Sequence, residues 1–264
     1  MKNLFGFDNK NKKINNSAFV IRDLDGAEDS KKLEEVVRNN LTARKNASLP
    51  AWLVLPACAF NLVGLILLTI GIPDEDANFT KTHLILLIVG GVLLVLGMIV
   101  LAISYVRNKK LNADPFYQQS LAREEKLTDE ALKIPETAEK IDFLVVNRPS
   151  KFPVFNMMTL KVFKENGLLC FADSYEVTAI PLSQIMTAYA INSKTRFTVT
   201  EALSKEKCVR YGIKRSINYA GQYIADSRLV VELQLNGEPY EIIVAGYNAQ
   251  TFTKFLDGTT VVVQ

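Results

Sequence analysis

The sequence predicts an α+β membrane protein. A two-helix transmembrane hairpin is followed by a small β-barrel or sandwich of about seven strands, capped by a C-terminal helix. Three observations carry this. Two uncharged apolar runs, 49–72 and 84–106, flank a short acidic stretch. From about residue 141 the apolar residues alternate, with turn sequences between the runs. A last segment, AQTFTKFLD, then sets its apolar residues at helical spacing.

Each run exceeds the roughly 18 uncharged residues that mark a candidate span, and at about 1.5 Å per residue it covers a hydrocarbon core of about 30 Å. Hydrophobic content of 48% is near average, so the runs are a local concentration. A net charge of +3 is too mild to mark a nucleic-acid binder. Its distribution is polar: ten Lys/Arg fall within 1–48, only Lys81 lies in the turn 73–83, and Arg107, Lys109 and Lys110 follow the second run. By the positive-inside rule this predicts a two-span protein of the cell membrane with both termini cytoplasmic. The first twenty residues hold no continuous apolar core, so the first span is expected to act as an uncleaved insertion signal. Abundant Asn and Lys lean towards an AT-rich bacterial genome.

Residues 1–48 read as a cytoplasmic arm. Its first sixteen residues are polar and expected to be disordered. SKKLEEVVRNNLTARKN, near 30–45, places Leu33, Val36, Val37 and Leu41 on one helical stripe. That stripe either packs on the soluble domain or a second copy, the reading favoured here, or lies on the inner leaflet beside Arg38, Arg44 and Lys45.

In the hairpin, Ala57, Gly64 and Gly71 recur every seventh residue, as do Gly90, Gly97 and Ser104. Small residues at that spacing let two helices approach closely in lipid. Asn61, the strongly polar residue within the spans, is expected to make an interhelical hydrogen bond. Pro56 is expected to kink the first turns, and Trp52 and Tyr105 to sit at the cytoplasmic interface. With no charged group inside either span, a proton relay has no machinery there. The turn PDEDANFTKTH is too short for a domain; its carboxylates read as a polar cap, and His83, the sole histidine, as an interfacial anchor. Its Asn78-Phe79-Thr80 sequon would matter only in a eukaryote.

Residues 107–140 form a helical connector, with Asp114 and Pro115 opening one helix and Thr128 a second that Pro135 ends. The β domain, 141–264, is expected to hold strands at 155–163, 168–171, 175–180, a strand from Ile185, 196–200, 208–213, 228–235 and 240–245. Asn166-Gly167 and Asn236-Gly237 mark hairpin turns. Asn248 is expected to cap the last helix, whose face is Ala249, Phe252, Phe255 and Leu256, with Gly258 at its end; TTVVVQ is placed as an added edge strand.

Val177-Thr178-Ala179-Ile180-Pro181-Leu182-Ser183-Gln184-Ile185, with the closing YEIIVAGYNAQTFTKFL, resembles the bacterial pleckstrin-homology-like (PH-like) domains over about 125 residues. Many of those follow a transmembrane hairpin. The resemblance implies a strand barrel plugged by its last helix. Phosphoinositide-binding relatives carry a K-x-R cluster in the first hairpin, where this chain offers Lys161 and Lys164 and no arginine. A separate basic group, Lys205, Lys207, Arg210, Lys214 and Arg215, is the candidate contact for anionic lipid; interleaved Glu201 and Glu206 favour a solvated face.

No GxSxG, P-loop, HExxH or GxGxxG motif occurs. The three cysteines, Cys58, Cys170 and Cys208, lack metal-ligand spacing. No catalytic residue, cofactor or metal is therefore assigned, and neither a nucleic acid nor a small-molecule substrate is expected as partner. The expected partners are membrane lipid and either another protein or a second copy. The expected function is a non-catalytic membrane protein displaying a cytoplasmic interaction or oligomerisation module. The alternative is an accessory subunit of a transport or envelope assembly, touching its partners through the hairpin.

Overall fold

The computed structural model describes residues 2–6, 18–24, 30–73, 79–146, 155–199, 203–210, 212–215, 221–256 and 261–263. Two compact units divide the chain: Lys31–Leu127, and a second built from Met1–Ser30 together with Thr128–Gln264. The helical unit is thus an insertion in the chain of the β unit. The acidic residues 74–76 of the turn, Asn78 of the sequon, arm residues 7–17, and Gly258 lie outside the described residues.

The helical unit holds α1 (Ser30–Ala47), α2 (Ala51–Gly71), α3 (Lys81–Asn112) and the start of α4 (Pro115–Ala131). α2 and α3 are long and apolar enough to cross a membrane. Only 11% of each apolar window is buried, the reverse of a soluble core helix. Pro56 lies within α2. Thr80 opens α3 with a reciprocal cap: its hydroxyl accepts from the His83 N–H (3.4 Å), and its own N–H donates to His83 Nδ1 (3.0 Å). The sole histidine is therefore a helix cap. At the other end of α3, the Arg107 guanidinium donates to the Asn46 carbonyl (2.6 Å), tying the end of α1 to the end of the second span. Asp114 Oδ1 accepts from the Phe116 N–H (2.9 Å) and opens α4. Thr128 does not start a second helix: α4 runs on to Ala131 with Thr128 buried in it, and the chain turns at Lys133, whose φ is 55°.

The β unit comprises β1 (Lys2–Asn3), β2 (Val20–Asp23), β3 (Glu139–Val146), β4 (Phe155–Glu165), β5 (Leu168–Ala172), β6 (Glu176–Pro181), β7 (Ile185–Ile191), β8 (Thr195–Thr198), α5 (Lys205–Arg210), β9 (Lys214–Arg215), β10 (Gln222–Ala225), β11 (Arg228–Leu235), β12 (Glu238–Ala245), α6 (Ala249–Thr253) and β13 (Val261–Val263). The turns of β4–β5 and β11–β12 have positive φ at both central residues: Asn166 (50°) and Gly167 (77°), then Asn236 (51°) and Gly237 (80°). That is the primed geometry matching the right-handed twist of paired strands.

The main sheet runs β13-β7-β11-β12-β3-β4-β5-β6-β2, with β8, β9 and β10 as a side sheet. It is open, and the expected closed barrel of about seven strands is not formed. Closure would require β6 to pair with β7 across the corner at Leu182–Gln184. Instead β2 lies along Glu176–Thr178 of β6 and β13 along Ala188–Ala190 of β7, so each edge is taken over part of its length by another strand.

One face of the strands from β3 to β12 shares a core with α6: Phe143, Leu160, Val162, Phe171, Val231 and Phe252 are each at most 4% exposed. Outward residues of β3 and β12, Leu144 and Ile243, meet Phe197 and Tyr223 of the side sheet. Leu132 covers Phe163 and Cys170 on the backs of β4 and β5. The strands are thus apolar on both faces, which blurs the period-two signal.

Two further expectations fail. The first residues of the expected strand 208–213, Cys208 to Arg210, are helical. Ser204 accepts from the Lys207 N–H (3.1 Å) and Glu206 pairs with Arg210 at i,i+4, so the segment begins as the helix α5. Asn248 does not cap α6 with its side chain; its Oδ1 accepts from the Asp142 N–H (3.1 Å) and holds the helix start to β3.

The arm is ordered where disorder was expected, at residues 2–6. β1 runs parallel to β12, with Lys2 opposite Tyr240 and Asn3 opposite Glu241, and the Leu4 N–H donates to the Glu241 carbonyl (2.8 Å). β12 pairs with β3 at Val244–Phe143, and β1 lies beside Tyr240 and Glu241 further along β12. Leu4 is 0% and Phe5 2% exposed, and the Phe5 ring stands edge-on to Phe143 (5.3 Å) and Phe171 (5.1 Å). Burying two large apolar side chains, at about 1.5–3 kcal/mol each, together with the backbone bonds to β12, works against the entropy of ordering the segment. Phe5→Ala is expected to cost about 3–5 kcal/mol, whereas Phe116→Ala, at an exposed ring, stays within about 0.5 kcal/mol; denaturant midpoints of the full chain in detergent measure both.

Candidate functional site

The first candidate is the seam between α2 and α3. Ala57, Gly64, Gly71, Gly90 and Gly97 are buried, and Ser104, one heptad further, is half-buried. A Cβ built on Gly64 would lie 2.8 Å from the Gly90 carbonyl oxygen, and one on Gly90 2.9 Å from that of Gly64. On Gly97 it would reach the Ala57 carbonyl at 2.6 Å, and on Gly71 the Leu87 side chain at 2.9 Å. The helices therefore cross antiparallel with backbone against backbone. Gly91 has nothing within 4 Å and faces outward.

Asn61 stands against Gly97 but does not bridge the helices: its Nδ2 donates to the Ala57 carbonyl of its own helix (3.0 Å). Thr69 does the same to Leu65 (2.9 Å). With a carbonyl of the preceding turn in reach, no partner across the seam is needed.

The second candidate is the basic group around α5. Lys205, Lys214 and Arg215 are exposed, and Arg210 pairs with Glu206 at 2.9 Å. Lys207 leaves the set, because its ammonium turns inward to the buried Asp142. Asp142 Oδ2 accepts from Lys207 Nζ (2.5 Å) and the Tyr247 hydroxyl (2.8 Å), while Oδ1 accepts from the Thr159 hydroxyl (2.6 Å). The Asp142 side chain is 5% exposed and Lys207 also lies over the Tyr247 ring. Donors on both oxygens replace the water that burial removes from this carboxylate. The lysines of the first hairpin are engaged as well: Lys161 holds both Asp129 oxygens at 2.6 Å, and Lys164 donates to the Lys254 carbonyl (3.4 Å).

The Asp142 cluster was not singled out from sequence. Its signal is a lone aspartate inside the apolar strand KIDFLVV. Burial pushes the Cys170 thiol up to about 11, which removes it as a nucleophile near neutrality. Among the described residues no three His, Cys, Asp or Glu side chains converge as metal ligands. A recess at Phe5, Met158, Phe171 and Thr178 measures only about 10 Å³, room for one water at most.

No family model, curated protein or solved structure matches the chain.

Gly64→Val is expected to cost about 1–3 kcal/mol by forcing the spans apart, and Gly91→Ala to be neutral; thermal unfolding in detergent separates the two. Lys207→Met leaves Asp142 buried without its counter-ion and is expected to cost about 3–5 kcal/mol, with Lys207→Met/Asp142→Asn recovering part of the loss. Denaturant titration of the three variants tests this.

Proposed function

We propose that this chain is a non-catalytic, two-span integral membrane protein displaying a PH-like β domain as a protein-interaction or oligomerisation module at the cytoplasmic face. The observation that carries the reading is the composition of the sheet. β1 and β2, from before the hairpin, pair with β12 and β6, from after it. One folded body thus holds both flanks of an anchor with an even number of spans. Arg44, Lys45, Arg107, Lys109 and Lys110 border that end of both spans, the cytoplasmic pattern.

For the PH-like assignment, the supporting features are the corner at Leu182–Gln184 between two groups of antiparallel strands and the sealing of the core by Phe252 and Leu256. For the interaction role, support comes from the sheet edge. β2 pairs with β6 on one side and with no strand on the other among the described residues, and it exposes Ile21 at 45% beside Tyr175 at 73%. An open edge with exposed apolar side chains is a template for strand addition. The Asp142 cluster does not line the recess at Phe5 and Phe171, and its donors close on the carboxylate itself, as in a latch.

Photo-crosslinking amino acids at Ile21, Ile66 and Val92 of the full chain in intact cells test the reading. Protein adducts at Ile21 support the module. Adducts confined to Ile66 and Val92, on the outer faces of the spans, favour the accessory-subunit alternative, and none at any position overturns both.

A further inference from the structure

We infer that the outward face of α1 binds anionic phospholipid of the leaflet in which α2 begins and α3 ends. The inference rests on the membrane reading of the hairpin and adds a ligand to a helix which that reading leaves without one.

The inward face of α1 is already taken. Asn40 donates to the Glu124 carboxylate (2.5 Å) and accepts from the Ser120 hydroxyl (2.6 Å). Arg44 Nε donates to the Tyr117 hydroxyl (2.6 Å), and Leu33 and Val36 are buried. These contacts fix the rotation of α1. They correct the predicted stripe too: Leu41, counted within it, is 60% exposed.

Turned outward are Glu34, Val37, Arg38, Leu41, Thr42 and Lys45, lining a shallow depression of about 290 Å³. No acidic side chain pairs with Arg38 or Lys45 among the described residues. Glu34 sits at the end of the depression furthest along the chain from the span. The face therefore offers two unneutralised cations around exposed Leu41 and half-buried Val37, the Thr42 hydroxyl between them donating to the Arg38 carbonyl (2.7 Å). Phosphodiester oxygens fit the cations, and the upper acyl chain fits the leucine.

Position supplies the occupant. Only residues 48–50 separate α1 from α2, and Arg107 holds the Asn46 carbonyl. Leu41 lies about 9 Å along the helix from Ala47. Trp52, 71% exposed on the first turn of α2, marks the same level with the side chain that favours headgroups. A lipid headgroup is thus the nearest anion to Lys45 that the anchor itself supplies.

The chain has one tryptophan, so depth is readable by fluorescence. Trp52 in the parent reports insertion. Leu41→Trp and Asn39→Trp, each with Trp52→Phe, report the outward face and the opposite side of α1. All are full chains in nanodiscs carrying phosphatidylglycerol or phosphatidylcholine brominated high on the acyl chains. The expected result is strong quenching of Leu41→Trp in phosphatidylglycerol, little in phosphatidylcholine, and little for Asn39→Trp in either. Adding Arg38→Gln and Lys45→Gln, both exposed and unpaired, is expected to abolish the preference, at about fivefold in lipid affinity per charge removed. If Leu41→Trp is quenched no more than Asn39→Trp while Trp52 is quenched, the inference falls and the anchor stands. Equal quenching in both lipids overturns the recognition of charge. An unquenched Trp52 removes the anchor reading itself, and this inference with it.

Discussion

Backbone pairing across the insertion is the constraint on which the other features depend. Lys2 and Asn3 pair with Tyr240 and Glu241, and Val20 to Asp23 with Glu176 to Thr178, although 97 residues of helical unit lie between the two halves of the chain. Loop-closure entropy grows only slowly with length, and here the loop is itself folded. The Arg107–Asn46 contact and the Asn40–Glu124 contact return the outgoing chain to where it entered. Packing of α2 on α3 through glycines does the same within the apolar span. The insertion therefore behaves towards the sheet as a short connection. A fragment beginning after α3 would lack Leu4, Phe5 and the strand β2, and so part of its own core.

Polar groups in the least polar parts of the molecule find partners nearby. In the spans, Asn61 and Thr69 bond to carbonyls one turn earlier in their own helix. In the β unit, Asp142 is ringed by Lys207, Tyr247 and Thr159 from three separate parts of the chain. Such a cluster resists removal of any one member far more than exchange of the whole for apolar groups. Its effect is to hold α5 against β3, beside the apolar contacts that Leu203, Cys208 and Ile213 make with the core of the side sheet.

Legibility from sequence followed the strength of the local signal. Long uncharged runs announced α2 and α3, and the heptad of small residues named the residues that meet at their seam. Asn-Gly pairs announced two hairpins because few other residues accept positive φ twice in succession. What failed depended on distant partners. β1 is two residues long in a polar arm, and only the gap beside β12 makes Leu4 and Phe5 apolar anchors. The closed barrel was expected because strand count says nothing about which strands occupy the edges; β2 and β13 decide that. Arg44 and Lys207 looked like surface charges until Tyr117 and Asp142 were seen beside them.

The order in which this chain leaves the ribosome gives the placement of β1 a further meaning. Leu4 and Phe5 emerge well before β12, with both spans in the interval. The sheet can be completed only when both spans have crossed and the late strands arrive on the side where the early ones wait. A molecule that threads a single span strands its first five residues across the bilayer from their groove, leaving Phe143 and Phe171 uncovered. Quality control that senses exposed apolar surface would then read a topological error as a folding error, with no dedicated sensor of orientation.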